Sequence, residues 1–481
     1  MKTLYSLLRD PSTAALIISL SGCATVPTLS KAPIIRPASE LAAARSLPSG
    51  VGQWPTDTWW LAYNDATLSS LIESGLAGSP DLAIAGARFR AASAIARQAR
   101  AAQLPQITAQ ASGGVVKQSY NNGIPPQFVP RGWNETGSVS GSLSFDLDLW
   151  GGKRAGTRAA LSDSDAAELE VAHARLVLAT GIADAYAQLV QLNAAREVAL
   201  AAVTLRTDTE TLVRNRVANG VDTEAELAQA QSALPSARGE VLAIDETIVT
   251  VRHQIAALLG QGPDRGLDIQ VGATPPAIHD LPAGVTTDLI GRRPDIRAAL
   301  ARVEASNNRI KQAHAAFYPS VNISAMIGFT ALGFGNVFAS GSTFGNAGPA
   351  ISLPIFDGGA IAGRYGQARA GYDEAVATYD RTVVGAFREV ADAAAARQSL
   401  VGRLREAQAA LAQSERGYQI ARQRYEGGLS AYLDVLTAQQ TVLTARRSVA
   451  ELTTRGFALD VALVRALGGG LTPAVAIASA R

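Results

Sequence analysis

A chain of 481 residues could hold several domains, but only 6% of them are aromatic, which suits helices packed through small side chains better than a bulky globular core. The formal net charge is +2 with no dense run of Lys or Arg, so nothing asks for nucleic acid. The single cysteine, Cys23, excludes an intrachain disulfide and any multi-cysteine metal site.

Residues 1–22 carry basic Lys2 and Arg9, a short apolar run from Ala14 to Leu20, and Leu20-Ser21-Gly22 immediately before Cys23. The segment resembles a bacterial lipoprotein signal peptide, whose cleavage would leave Cys23 as an acylated, palmitate-type anchor. Several acyl chains on one residue hold a membrane where a single chain does not. From Ala24 to about Pro55 the composition predicts an extended tether. Trp54, Trp59, Trp60 and Tyr63 then precede Leu68, Leu71, Ile72 and Leu76, which predict a first short helix ending near Gly78, with the tryptophans packed against neighbouring helices.

After residue 78 the chain is written twice. Ser79 to Ile107 lies on Arg293 to Val321 at one constant offset, pairing Pro80 with Pro294, Asp81 with Asp295 and Pro105 with Pro319; Arg214 to Leu227 lies likewise on Arg422 to Val435. The first copy, 79–291, reads as a helix, a β-hairpin at about 105–150, a long helix at about 152–219, a return helix at about 222–259 and a Gly- and Pro-rich linker. The second copy, 292–481, reads as a helix, a hairpin at about 319–356, a long helix at about 359–427, a return helix at about 430–467 and a tail.

The hairpins show two-residue alternation. Val139, Leu143, Phe145 and Leu147 alternate with Ser138, Ser140, Ser142, Ser144 and Asp146, and Val321, Ile323, Ile327 and Phe329 alternate with polar or small residues. Ile107 to about Val116 and Asn346 to Phe356 complete the pairs. No helical stretch is a continuous apolar run of membrane-spanning length, which leaves the strands as the one candidate for crossing a bilayer. Four strands cannot close alone, because single-chain barrels need about eight, so the strands are expected to be shared between chains.

The long helices carry heptads. Leu176, Ala183 and Val190 with Ala179 and Tyr186 mark the first, which at about 1.5 Å per residue runs on the order of 100 Å. Val376, Val383, Val390, Tyr418 and Tyr425 mark the second. Pro235, where the second copy has Leu443, predicts a kink in the first return helix alone.

His173, His253, His279 and His314 lie far apart without metal-ligand spacing, and Gly333 to Asn336 lacks the third glycine of a nucleotide loop. No enzyme, metal or cofactor is expected. The positions of interest are the helix reversals at Gly220 and Gly428. Asp222 and Ser430 are read as helix caps, with Glu224 adding charge, and Glu226 and Asp434 sit further on as candidate lumen-facing carboxylates. Arg214, Arg216, Arg422 and Arg424 could pair with them.

Several blocks carry a family resemblance: the Leu20 to Cys23 lipobox, WWLAYNDATLSSLI (Trp59 to Ile72), DLWGGKRAG (Asp148 to Gly156), LIGRRPDIRAA (Leu289 to Ala299), PIFDGG (Pro354 to Gly359), RYEGGLSAYLDVLTAQ (Arg424 to Gln439) and ALGGGL (Ala466 to Leu471). The chain resembles the outer-membrane factor family, the TolC-like channels, in the NodT-type lipoprotein branch of resistance-nodulation-division efflux systems. The resemblance implies an α+β membrane protein: a homotrimer with a twelve-strand barrel in the outer membrane, coiled-coil helices forming a periplasmic α-barrel, and an equatorial belt to which 23–78 contributes. It implies a lipid-anchored exit duct for drugs or other small toxic compounds, working with a periplasmic adaptor and an inner-membrane transporter. It also implies a gated aperture at which Tyr425, Leu433 and Asp434 match the family pattern, with Asp222, Glu224 and Glu226 beside them; Ser430 and Thr437 depart from it. The rival readings are a duct for protein secretion or heavy-metal efflux, and a non-conducting periplasmic scaffold.

Overall fold

The computed structural model describes residues 26–37, 40–43, 45–47, 52–272, 282 and 285–470. The expectations placed on the signal peptide, Cys23, His279, the linker residues 273–281, 283 and 284, and the tail beyond residue 470 lie outside the described residues. The chain divides into two compact units, one made of 1–35, 89–167 and 299–379 and the other of 36–88, 168–298 and 380–481.

The first unit carries one antiparallel sheet in the order β1 (Gln106–Val116), β2 (Asn134–Asp146), β3 (Ser320–Leu332), β4 (Thr343–Ser352). The two hairpins therefore join edge to edge, β2 on β3. The register keeps one parity throughout: Ala111 faces Val139, which faces Phe329, and Ile107 faces Leu143, which faces Ala325. All odd-numbered strand residues thus share one face. On it Ile107 (79%), Ile327 (74%) and Ile351 (72%) are exposed. The opposite face is mainly polar, with Ser112 and Ser138 hydroxyls 2.8 Å apart and the Asn322 amide donating to Ser144 Oγ at 3.1 Å. A bare apolar face on single-layer strands of 10 to 13 residues fits lipid, since strands of about 9–11 residues cross a bilayer. β4 differs from the expected Asn346 to Phe356. It starts at Thr343, opposite Phe329, and stops at Ser352, because Pro354 has no N–H to extend the ladder.

Each hairpin feeds a 67-residue helix, α3 (Gly152–Ala218) after β2 and α8 (Ala360–Glu426) after β4. Aspartates start them. Asp148, itself at φ 45°, accepts from the backbone N–H of Lys153 (2.8 Å) and Arg154 (2.9 Å), and Asp357 accepts from Gly359 (3.0 Å) and Ile361 (2.6 Å). Bonds to both amides hold the Asp357 carboxyl below its ordinary range. Trp150 stacks on Tyr318 with centroids 4.7 Å apart and donates its indole N–H to Pro319 O at 2.8 Å, so β2 and β3 leave the sheet tied together.

The second unit holds the main core. A short turn of helix at Trp59–Tyr63 and helix α1 (Ala66–Gly78) bury Trp59, Trp60, Tyr63, Leu68, Leu71 and Ile72. They pack on Ile182, Tyr186 and Leu189 of α3, on Ile255 of α4 (Glu224–Leu258), and on Phe457 and Val461 of α9 (Tyr432–Leu467). Trp59 and Trp60 are core residues, as expected of packing against neighbouring helices, whereas Trp54 is half-buried. Tyr63 meets Phe457 edge-on at 5.0 Å and donates to the buried Asp460 at 2.7 Å. Asp65 serves twice: it caps α1 by accepting from Leu68 N–H at 3.0 Å and receives the Tyr186 hydroxyl at 2.7 Å.

The remaining helices are α2 (Pro80–Ala101), α5 (Asp264–Leu267), α6 (Val285–Arg292) and α7 (Pro294–Ala315). Arg293 anchors the start of α7: it pairs with Asp295 at 2.7 Å and Glu389 at 2.6 Å and donates to Ala466 O at 3.0 Å. The heptad residues Ala183, Tyr186, Val376, Val383, Val390 and Tyr425 are buried. Pro235, where a kink is predicted, lies inside a helix that runs unbroken from Glu224 to Leu258. The carbonyl that Pro235 leaves without a donor belongs to Gln231, which is exposed and open to water.

Candidate functional site

The helix reversals are built alike. Each long helix ends in a left-handed glycine, Gly220 at φ 73° and Gly428 at φ 70°. In each, the next residue reaches back to close the last turn: Val221 N–H donates to Arg216 O at 2.9 Å and Leu429 N–H to Arg424 O at 2.7 Å. A side chain at either glycine would be strained, which is why NG and GG stand there.

The caps differ from the expectation for Asp222 and Ser430. Thr223 caps α4 in a full capping box, with Thr223 N–H donating to Glu226 Oε2 at 2.8 Å and Glu226 N–H to Thr223 Oγ1 at 3.4 Å. Glu226 is thereby committed to its own helix start. α9 has Ala431 at its N-cap position and so no side-chain cap, and the Ser430 hydroxyl is buried without a hydrogen-bond partner.

Asp222 turns instead toward the second hairpin. It accepts from Arg216 Nε at 3.0 Å and Nη2 at 3.2 Å, and also receives the Tyr425 hydroxyl. Arg216 lies over the Tyr425 ring at 4.3 Å and donates to Glu426 O at 3.3 Å. This knot joins α3 and its turn to the end of α8. Burial pushes the Asp222 carboxyl up, but the Arg216 and Tyr425 bonds outweigh it and hold it below the ordinary range. Burial, then the bond to Asp222, raises Tyr425, so its hydroxyl stays a donor. Beneath it Tyr425, Tyr432, Val213, Ala230 and Val435 form a small apolar core.

Glu224 and Asp434 are exposed, as is Leu433 at 62%. Of the four arginines, Arg216 takes the pair with Asp222, whereas Arg214 bonds Glu210 and Arg422 bonds Glu426 at 2.7 Å, each along its own helix. Arg424 reaches Leu429 O at 3.5 Å.

A second polar link was not visible in the sequence. Gln439, fully buried on α9, accepts from Arg206 of α3 and donates to Thr209 Oγ1 at 3.0 Å, and Arg206 also donates to Gln440 at 3.2 Å. The partners stand more than two hundred residues apart, and although Gln439 falls on Gln231 of the other copy, Arg206 does not repeat, since Ser414 occupies its matching place.

A four-strand sheet with a bare apolar face, carried with two antiparallel pairs of long heptad helices that reverse at a knotted tip, defines an outer-membrane channel subunit. The outer membrane efflux protein family model matches residues 71–261 and 285–469, and the chain belongs to that family. It is 36% identical over 345 residues to the fusaric acid resistance protein FusA of Burkholderia cepacia, a match covering 69% of this chain and 63% of FusA, less than two thirds of that relative's length. It is 30% identical over 473 residues, 94% of each chain, to the multidrug resistance outer membrane protein MdtP of Escherichia coli. The solved outer membrane protein VceC of Vibrio cholerae superposes with a TM-score of 0.81 at 41% identity, covering 87% of this chain and all of VceC. The chain is an outer-membrane efflux duct, not an enzyme, and its fold is that of the solved channels.

Proposed function

We propose that three copies share one twelve-strand barrel in the outer membrane and form the exit duct of a tripartite efflux pump for drugs or other small toxic compounds. The observation that carries this is the single-parity sheet: four strands with one face that is apolar except for Glu135 and Thr343 at one end, and two outer edges that nothing covers among the described residues. A sheet in lipid must close, and four strands are half of the smallest barrels. The names of FusA and MdtP attach those relatives to fusaric acid and multidrug resistance, which supports small toxic compounds over secreted proteins or metal ions. A periplasmic adaptor and an inner-membrane resistance-nodulation-division transporter are the partners. Co-purification from membranes tests this: recovery of such a pair supports the reading, and recovery of a protein-secretion transporter instead overturns it.

Two finer assignments belong to the same proposal. Cys23 is the acylated first residue of the mature chain, and residues 26–35 group with the strand-bearing unit, as a membrane-side anchor requires. Intact mass should show acyl chains on Cys23; a free thiol in a longer chain would refute it. The helix reversals form the periplasmic aperture, with the Asp222, Arg216 and Tyr425 knot holding the two hairpins together and Leu433, Asp434 and Glu224 free to line the opening. Glu226 supports the rim through its capping box.

A further inference from the structure

The closed barrel proposed above leaves open how one copy meets the next, and the backbone of the sheet answers it. In the β2 and β3 pair the ladder continues past both ends through odd-numbered residues, with Leu147 N–H donating to Val321 O at 3.0 Å and Gly333 N–H to Glu135 O at 2.7 Å. Antiparallel partners alternate between bonded and non-bonded pairs, so even-numbered residues of these strands bond outward, to β1 and β4. The bond from Thr330 N–H to Ser342 O at 2.8 Å, just past the end of β4, agrees. By the same alternation, the odd-numbered residues of β1 and β4 aim their N–H and C=O groups at the outer edges. These are Ile107 through Val115 on one edge and Thr343 through Ile351 on the other, the same residues that form the apolar face.

We propose that β4 of one copy pairs antiparallel with β1 of the next in the register that sets Thr343 opposite Val115 and Ile351 opposite Ile107. The inference rests on the shared-barrel reading. It matches every outward residue of one edge to one of the other. Pro349, which has no N–H, then faces Ala109 and leaves one carbonyl without a donor near the end of the strand. Sliding by two residues one way moves that orphan to Ala111, the middle of β1, where lipid offers no substitute. Sliding the other way opposes Ile351 to Pro105, also without an N–H, and sets Val115 against Gly341, which sits in a turn at φ 91°. Side chains favour the same choice. On the polar face Phe344 comes to lie across from Gly114, where an added Cβ would meet nothing within 4 Å, so an aromatic ring covers a bare glycine. Pro349 also blocks the β4 edge from bonding fully to a stray strand, a common protection of exposed edges.

Disulfide trapping tests the register. Ser112 and Asn346 become a close, non-bonded pair under the proposal, within reach of a disulfide. The full-length protein carrying Ser112→Cys with Asn346→Cys, oxidised mildly in membranes, should run on denaturing gels as a reductant-sensitive covalent trimer. Gln110→Cys with Asn346→Cys and Gly114→Cys with Asn346→Cys, the two slipped registers, should stay at least tenfold less linked, and Asn346→Cys alone should not link. Stronger linkage of either slipped pair overturns the register. Native mass spectrometry of the same samples separates the two levels of the claim: trimers without linkage in any pair overturn the register alone, and monomers overturn the shared barrel as well.

Discussion

Asp222 shows how one carboxylate can carry the state of the tip. It receives two bonds from Arg216 and one from Tyr425, and its side chain is only 5% exposed. Asp222→Asn or Tyr425→Phe should each weaken the tie between the hairpins by about 2 kcal/mol and raise single-channel conductance, with little effect from Arg422→Gln, whose partner Glu426 lies on its own helix. Because the folded Asp222 carboxyl is held below its ordinary value of 3.8, its contribution is fully present above that value and is lost as pH falls beneath it. Conductance of the wild type should therefore stay low down to about pH 4 and rise only in stronger acid; a rise centred near pH 6 would contradict the assignment. Ion selectivity divides differently. Asp434→Asn should reduce cation preference in reversal-potential measurements, whereas Glu226→Gln should leave it unchanged, since Glu226 spends its carboxylate on Thr223. Sequence reasoning named Asp222, Glu224, Glu226, Tyr425, Leu433 and Asp434 at this tip but read Asp222 as a cap. The cap one residue later, Thr223, satisfies the helix and releases Asp222 toward a partner in the other copy, a tertiary choice that local spacing does not encode.

At the scale of elements, the sequence was most legible where a period repeats. The serine alternation of β2 and the heptads of α3 and α8 predict their elements within a few residues, because burial on one face imposes the period. The strand least well placed was β4, whose small residues, Gly345, Ala347, Gly348 and Ala350, alternate weakly. Its limits come from pairing with β3 and from Pro354. Pro235 predicts a kink or local opening, and α4 carries it inside an uninterrupted helix on an exposed face. Pro235→Ala should add a helix bond at small cost elsewhere and stabilise α4 by about 2–3 kcal/mol, seen as slower amide hydrogen exchange between Gln231 and Gly239. Faster exchange there would show that the proline is needed where it stands. The Arg206 and Gln439 link was invisible for a simpler reason: it pairs unlike residues across the two copies, and the repeat keeps the glutamine, as Gln231, but not the arginine.

For the molecule as a whole, duplication is the organising fact. Each copy supplies one hairpin and one pair of long helices; the hairpins meet in one sheet, and helices of both copies meet again at the knotted tip. The copies differ at the tip even though their sequences align there: a capping box on α4 against an uncapped α9, and Asp222 in one turn against Ser430 in the other. A passive duct needs no catalytic cluster, and its selectivity follows from lining and width. The most direct measurement is single-channel recording of the purified full-length protein in planar bilayers, beside the Asp222→Asn, Tyr425→Phe double variant. The account predicts discrete, cation-preferring openings, rare or small in the wild type and several-fold larger in the variant. Well-folded protein that inserts as trimers but conducts in neither form would contradict it.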